Sequence, residues 1–311
     1  MSSYLVTGGA GFIGSNIAEQ LAEKGNKVII IDNLESGKLE NIETFKDTVE
    51  FVKGDIRDRK LLDKILPGVE YISHQAALRS VPKSLDNPQS YNEVNIAGTL
   101  TLLEAARDAR VKRVVFASSS SIYGDTEILP QTEDILPKLI SPYALSKLAG
   151  EYYCRIFTKN FGMETVSLRY FNVFGPRQSL ENEYAVVIPK FITCMLRDES
   201  PPVHGDGLQS RDFSYIDNVV LANILACKAN NVAGEVFNIA CNERHTVLDI
   251  IKVTNMILGK DINPIHEPPR KGDVRHTEAD ISKAKKLLNY KPSVGFEEGI
   301  KKTIEYFKQC L

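Results

Sequence analysis

Three features of the 311-residue chain predict a doubly wound α/β fold: a parallel sheet covered by helices on both faces, with a smaller, interrupted α/β lobe attached. The first half alternates short β-branched runs with amphipathic stretches, the order that buries a parallel sheet on both sides. Three glycines, Gly8, Gly11 and Gly14, fall between the first such run and the first amphipathic stretch. The second half is cut into shorter elements by Pro176, Pro189, Pro201-Pro202 and Pro268-Pro269.

Tyr4-Leu-Val-Thr7 opens the sheet. Ile13, Ile17 and Leu21 then recur four apart and predict a helix over Phe12 to Glu23 that stops at Gly25. Lys27-Val-Ile-Ile-Ile-Asp32 is a buried strand ending in a carboxylate. Phe51-Val-Lys-Gly-Asp55, Tyr71-Ile-Ser-His74 and Val114-Val-Phe-Ala117 repeat the strand pattern, with helical stretches at about 58 to 66 and 93 to 109 between them. Ser141-Pro142 reads as a helix start, serine capping and proline at the first helical position. In that helix Leu145, Leu148, Tyr152 and Ile156 form an apolar stripe expected to pack on the sheet, away from Tyr143 and Lys147. Thr165-Val-Ser-Leu-Arg169 is a further strand, and Glu235-Val-Phe-Asn-Ile-Ala240 a late one. The division expected is a dinucleotide-binding domain over 1–171 and a mainly substrate-binding lobe over 172–311, with the strand near 235–240 returning to the first domain.

A formal charge of −2 gives no general attraction to nucleic acid or to an anionic membrane. Cys154, Cys194, Cys227, Cys241 and Cys310 are scattered, odd in number and without a C-x-x-C, which suits a reducing compartment. The chain begins almost directly in a strand, and no apolar stretch approaches the roughly 18 residues of a membrane span. A cytoplasmic protein with neither membrane nor nucleic-acid partner is expected. Five histidines without ligand spacing, and no Ser-His-Asp order, predict no metal and no hydrolytic triad.

Of twelve tyrosines, only Tyr143 has a lysine four residues later, Lys147, so the two side chains share one helix face. An ammonium held there can draw a phenol's pKa down from about 10, making a base for an alcohol proton. The Gly8-x-x-Gly11-x-x-Gly14 turn lets a pyrophosphate approach the helix N-terminus, where Phe12 and Ile13 begin the helix. Asp32 ends the second strand 18 residues past Gly14, with Asn33 beside it, where a carboxylate binds a ribose diol and repels a 2′-phosphate. NAD is therefore favoured over NADP. Asp55 and Ile56 follow the next strand and suit the adenine edge, and Ala76-Ala77 permits close approach of a cofactor. The Asn95 amide is placed to steady Lys147. The serine run Ser118-Ser-Ser-Ser121 ends a strand at the edge where open α/β sheets bind ligands, and supplies a hydroxyl for the same substrate oxygen as Tyr143. Arg211 and the Arg270-Lys-Gly-Asp-Val-Arg275 segment are loop cations suited to a diphosphate.

In this order the glycine turn, Asp32, the serine run ending Ile-Tyr-Gly124, Tyr143-x-x-x-Lys147 and Arg169-Tyr-Phe-Asn-Val-Phe-Gly175 resemble the extended short-chain dehydrogenase/reductases. Within them the chain is similar to the UDP-hexose 4-epimerases, over nearly its whole length through Gly272-Asp-Val-Arg-His-Thr-Glu-Ala-Asp280. The resemblance implies a Rossmann domain over 1–171, with Tyr143 as base, Lys147 on the nicotinamide ribose and Ser119 on the sugar. It implies cofactor contacts at Asn95 and Phe171, with Arg79 near the cofactor where many members carry lysine. Substrate contacts are implied at Asn172, Val187, Arg211, Arg270 and Asp273, with Val203-His204-Gly205 lining the uracil. Tyr143 would take the proton of the sugar 4-hydroxyl while hydride leaves C4 for NAD. The 4-keto sugar would turn about its diphosphate and be reduced on its other face.

The related 4,6-dehydratases and decarboxylases need an acid beside the catalytic hydroxyl, whereas Ser120 and Ser121 follow Ser119. The substrates implied are UDP-glucose and UDP-galactose, together with their N-acetyl counterparts, since Thr277 is intermediate in size and Val186 on the opposite wall is not especially small. A UDP-glucuronate 4-epimerase is the alternative, with Arg79 or a nearby cation meeting the uronate. A non-catalytic NAD-binding sensor or scaffold is the reading from another class, and the presence of both Tyr143 and Lys147 argues against it. A homodimer through helices near 93–109 and 143–159 is the family expectation.

Overall fold

A computed structural model describes residues 1–179, 187–269 and 274–310 of the chain. Six parallel strands, β1 (Ser3–Thr7), β2 (Lys27–Asp32), β3 (Glu50–Lys53), β4 (Tyr71–His74), β5 (Arg113–Ser119) and β6 (Glu164–Tyr170), build the main sheet with the edge strand Val236–Ile239. From the edge strand inward the order is β6, β5, β4, β1, β2, β3. The chain therefore winds outward from β1 in one direction and from β4 in the other, leaving a crevice at the carboxyl ends of β1 and β4.

Strand alternation divides the core between the two faces of this sheet. Tyr4, Val6, Val28 and Ile30 face one apolar cluster, while Leu5, Ile29, Ile31 and Ile72 face the other. The helix α1 (Phe12–Glu23) packs Phe12, Ile17, Ala18 and Leu21 into the first cluster. On the opposite face the helix Gly98–Asp108 contributes Leu102, Leu103, Ala105 and Ala106. That helix is preceded by a π-helical turn over Asn92–Ala97, which carries Asn95. Such wide turns are rare and gather at functional sites. Among the described residues no helix is long and apolar enough to cross a membrane.

The helix Pro142–Phe161 departs from the expected packing. Leu145, Tyr152 and Ile156 are 52%, 53% and 44% exposed, so the apolar stripe does not lie on the sheet. The buried face instead holds Ala144, Ser146, Lys147, Gly150, Glu151, Cys154 and Phe157. Small residues bring this face close to β5, and a Cβ on Gly150 would lie 2.3 Å from the Phe116 ring. The polar members of the face are tolerated because each finds partners there. The reactive lysine is therefore on the burial face, not apart from it.

Beyond β6 the helix Ile216–Lys228 and the edge strand return to the main sheet. Other elements form short paired strands: Val173–Phe174 with Ser214–Tyr215, Pro202–His204 with Ile265–Glu267, and Ser210–Arg211 with His245–Thr246.

Candidate active site

The glycine turn sits at the crevice. Gly8 has φ 64° and donates its N–H to Ile31 O at 2.8 Å, and Gly11 N–H closes back on Gly8 O at 3.1 Å. A Cβ on Gly14 would fall 2.2 Å from Gly8 O, and one on Gly8 would fall 2.8 Å from Ala76, so neither position admits a side chain. The N-terminus of α1 has no side-chain cap and no acid in its first turn, which leaves its positive end open to an anion.

A cleft of about 700 Å³ opens over this turn, and Gly8, Gly11, Phe12, Ile13 and Gly14 form one wall of it. Asp32, Asn33, Asp55 and Ile56 line one part, and Ala76, Ala77, Arg79, Tyr143 and Lys147 another. Asp32 is 7% exposed, and its two oxygens accept from Ala10 N at 3.0 Å and Leu34 N at 2.8 Å. Burial pushes its carboxyl up while these amide bonds pull it down. Asn33 Nδ2 donates to Asp55 Oδ2 at 3.0 Å, and Arg57 grips the same carboxylate with Nε at 2.9 Å and Nη2 at 2.8 Å. The hydrogen bonding of Arg57 holds Asp55 down at about 2. A side-chain-free cradle, an open helix N-terminus and a carboxylate at the end of β2 fit a dinucleotide.

Ser141 starts the tyrosine helix by accepting from Ala144 N at 3.2 Å, with Pro142 in its first turn. Lys147 Nζ donates to Ala117 O at 2.8 Å and lies 5.2 Å from the centre of the Phe116 ring. Burial pushes this ammonium down to about 8. Tyr143 lines the cleft and is half-buried as a residue, while the protein around its hydroxyl makes burial the largest influence and raises the phenol. The Ser119 hydroxyl and the charge of Arg79 pull it down again. The lowering expected from Lys147 is therefore corrected: in this geometry Ser119 and Arg79 supply it, while one of the three Lys147 donors goes to Ala117 O. Tyr91 stands edge-on to Tyr143, with ring centres 6.3 Å apart. Ser119 Oγ also accepts from Ser121 N at 3.2 Å, capping the 3-10 turn Ser120–Tyr123.

Two residues expected to touch the cofactor are placed otherwise. Asn95 is buried and does not reach Lys147: its Nδ2 donates to Leu78 O at 3.0 Å and Ser146 Oγ at 2.9 Å, and its Oδ1 accepts from Leu78 N at 2.8 Å. It clips the Ala76–Leu78 loop to the tyrosine helix, because a buried amide takes whichever partners are nearest. Phe171 is fully buried against Tyr123 in the core, and it is the preceding residue, Tyr170, that lines the cleft.

The expected substrate residues lie mostly on the short strands. Asn172 has φ 33°, and its Nδ2 donates to Thr277 Oγ1 and Asp212 O, both at 3.3 Å. Thr277 N–H donates to Ser210 O at 3.1 Å, and Arg211 Nη1 to Ser210 O at 2.9 Å and Arg275 O at 3.2 Å, so Asn172, Thr277 and Arg211 gather around one strand. Val203 is fully buried in the core, which corrects its side chain as a lining group, while His204 is half-buried with Nδ1 3.3 Å from both Pro268 O and Glu267 Oε2. Val187 begins the helix Val187–Leu196, partly buried against the core. Val186, Arg270 and Asp273 lie outside the described residues.

The structure also adds groups that spacing alone did not point to. His74 is fully enclosed, its Nδ1 2.7 Å from Thr7 Oγ1 and its Nε2 2.9 Å from Thr99 Oγ1. Thr99 spends its proton on Asn95 O at 2.6 Å, so it accepts from Nε2–H, and Thr7 donates to Nδ1. Thr7 Oγ1 in turn accepts from Gln75 N and Ala76 N, both at 3.1 Å, fixing the turn beneath the cleft. Beneath Ser119, Glu151 is gripped by Arg169 through two 2.8 Å bonds and accepts from Ser118 Oγ. A charged Arg169 inside a strand was the one signal in the sequence that could have revealed this network.

The sequence profile of the NAD dependent epimerase/dehydratase family matches residues 4–240. The chain is 40% identical over 306 residues to a putative UDP-glucose 4-epimerase of Methanocaldococcus jannaschii, covering 98% of each. Its fold superposes with TM-score 0.95 and 40% identity on the UDP-N-acetylglucosamine 4-epimerase of Methanobrevibacter ruminantium solved with UDP-N-acetylmuramic acid, covering 100% of this chain and 99% of that one. The Thermotoga maritima UDP-glucose 4-epimerase solved with UDP-glucose is similar at TM-score 0.94 and 41% identity, covering 99% of each. With the glycine cradle, Asp32 and the Tyr143–Lys147 helix on one cleft, the chain belongs to the NAD-dependent epimerase/dehydratase family of extended short-chain dehydrogenase/reductases.

Proposed function

We propose that the chain inverts C4 of UDP-hexoses in a redox-neutral cycle, acting on the UDP-glucose/UDP-galactose pair and on the N-acetylglucosamine/N-acetylgalactosamine pair. The observation that carries this reading is Tyr143 on the cleft with the Ser119 hydroxyl acting on its phenol, and with Ser120 and Ser121 rather than an acid following Ser119. Tyr143 takes up the proton of the 4-hydroxyl and later returns it, Ser119 orients the same oxygen, and Arg79 favours the phenolate. Lys147, anchored on Ala117, presents its remaining donors to the cofactor ribose. Bound NAD supplies a hydride acceptor that also gives the hydride back. The glycine turn, Asp32, Asn33 and Asp55 would hold it, within a cofactor domain over 1–171. Asn172, Arg211 and Thr277, gathered on one strand, are proposed to hold the substrate within the 172–311 lobe. The names of the similar proteins support both sugar pairs.

Incubating purified protein separately with UDP-galactose, UDP-N-acetylgalactosamine and UDP-galacturonate, without added NAD, tests the reading. Conversion of the first two to their C4 epimers is expected. Turnover of UDP-galacturonate alone would replace it with the uronate reading, which the Arg79 charge in the cleft would then explain.

A second copy of this chain is also proposed to cover the exposed Leu145, Tyr152 and Ile156 stripe, since three large apolar side chains on one helix face are unusual at a free surface. Sedimentation should give twice the chain mass for the wild type and the single mass for Ile156→Glu. A monomeric wild type would remove the proposal.

A further inference from the structure

The loop after the Val173–Phe174 strand carries two polar side chains with no role in the chemistry above. Arg177 and Gln178 line the same cleft as the glycine turn and Asp32. Arg177 adopts φ 68°, a conformation uncommon outside glycine and concentrated where the surrounding structure holds a functional side chain in place. Its Nη2 pairs with Glu19 Oε2 at 2.7 Å, and its guanidinium lies 5.4 Å from the centre of the Phe45 ring. The other terminal nitrogen, Nη1, is buried with no hydrogen-bond partner among the described residues. Gln178 is 8% exposed, and its Nε2 donates to Val173 O at 3.0 Å. That bond settles which way the amide points, because its oxygen cannot face a carbonyl. Gln178 Oε1 is then a buried acceptor, also without a partner among the described residues.

Buried polar atoms are nearly always paired, so an adjacent orphan donor and orphan acceptor on one cleft call for a ligand. The loop is tied to α1 twice, through Glu19 and through Asn16 Nδ2 donating to Pro176 O at 3.4 Å. It therefore stands beside the helix that presents its uncapped N-terminus to the cleft. A guanidinium donor on the cleft onto which a bare helix N-terminus opens selects a phosphate oxygen. A neighbouring carbonyl oxygen selects a hydroxyl or amino hydrogen.

We propose that Arg177 and Gln178 are cofactor-binding residues, Arg177 Nη1 donating to the diphosphate of the dinucleotide and Gln178 Oε1 accepting from a hydroxyl or amino group of the same molecule. Equilibrium dialysis of the full chain against NAD, ADP-ribose and adenosine, for the wild type, Arg177→Met, Gln178→Leu and Glu19→Gln, tests this. Arg177→Met is expected to weaken NAD and ADP-ribose by about ten- to a hundredfold and to leave adenosine unchanged. Gln178→Leu should weaken NAD by roughly tenfold, and Glu19→Gln should bind like the wild type. If Arg177→Met and Glu19→Gln lose affinity equally, Arg177 is only a strut between the loop and α1, and the proposal fails. It fails also if Arg177→Met stays within twofold of the wild type. Arg177→Gln, with a planar donor head, replaces the methionine variant under the same two outcomes should that variant not fold. The readout is binding and not turnover, so it stands whichever sugar the enzyme accepts.

Discussion

Tyr143→Phe is expected to lower the epimerisation rate by about 10²–10⁴-fold, the range associated with removal of a positioned acid–base group. The substitution deletes one oxygen and keeps the ring against Tyr91, so the packing around it is preserved. Ser119 Oγ keeps the bond from Ser121 N. NAD binding and thermal stability should therefore be close to wild type, and the loss should sit in kcat. Chromatography of the UDP-sugar products over long incubation checks the rate, and equilibrium dialysis checks the cofactor. Full turnover by the phenylalanine variant would remove Tyr143 from the mechanism.

The pH profile carries a second readout of the same site. Burial raises the Tyr143 phenol, so the phenolate fraction grows as pH increases and the rate climbs with it. Burial lowers Lys147 to about 8, so its charge is present below that pH and is lost above it. The expected profile therefore rises toward about pH 8 and levels off above it, where the lysine loses charge as fast as the raised phenol gains it. Arg79→Met should lower that plateau without moving the pH at which it begins, because the arginine charge is one of the two influences that bring the phenol down. A plateau of unchanged height would mean that Arg79 does not act on Tyr143.

Local spacing explains what could be read from the amino acids alone. The glycine turn, the carboxylate ending β2 and the Tyr143-x-x-x-Lys147 pair each depend on residues a few positions apart, and the structure brings all three to one cleft. Hydrophobic periodicity failed where the buried face is polar: Lys147 and Glu151 point inward, while Leu145, Tyr152 and Ile156 point out. The error has a physical cause, since long-range partners decide the burial of a charged side chain and a local pattern contains none of them. Asn95 illustrates the same limit, because its amide is committed to Leu78 and Ser146, 17 and 51 positions away. The His74–Thr7 bond, across 67 positions, could be recognised only once β1 and β4 were known to be neighbours.

The largest effect on stability is expected at Arg169, whose side chain is 6% exposed beside a Glu151 that is 5% exposed. Arg169→Met would leave the Glu151 carboxylate buried with Ser118 Oγ as its remaining donor among the described residues, and breaking such a pair from one side costs about 3–5 kcal/mol. The same change strips Tyr123 OH of its 2.9 Å donor, although that hydroxyl still donates to Asn238 Oδ1 at 2.6 Å. Replacing both partners, Arg169→Met with Glu151→Leu, removes the stranded charge, so the double variant should recover most of the loss. Urea unfolding of the wild type, both single variants and the double variant measures this coupling. Additive losses would show that the two side chains do not stabilise the fold as a pair. Activity should not recover in step with stability, because Ser118 loses its carboxylate partner in the double variant and the adjoining Ser119 is the group whose hydroxyl lowers the Tyr143 phenol. A double variant that regains both stability and full turnover would show that the buried pair holds the sheet and the helix together without positioning the reactive hydroxyls.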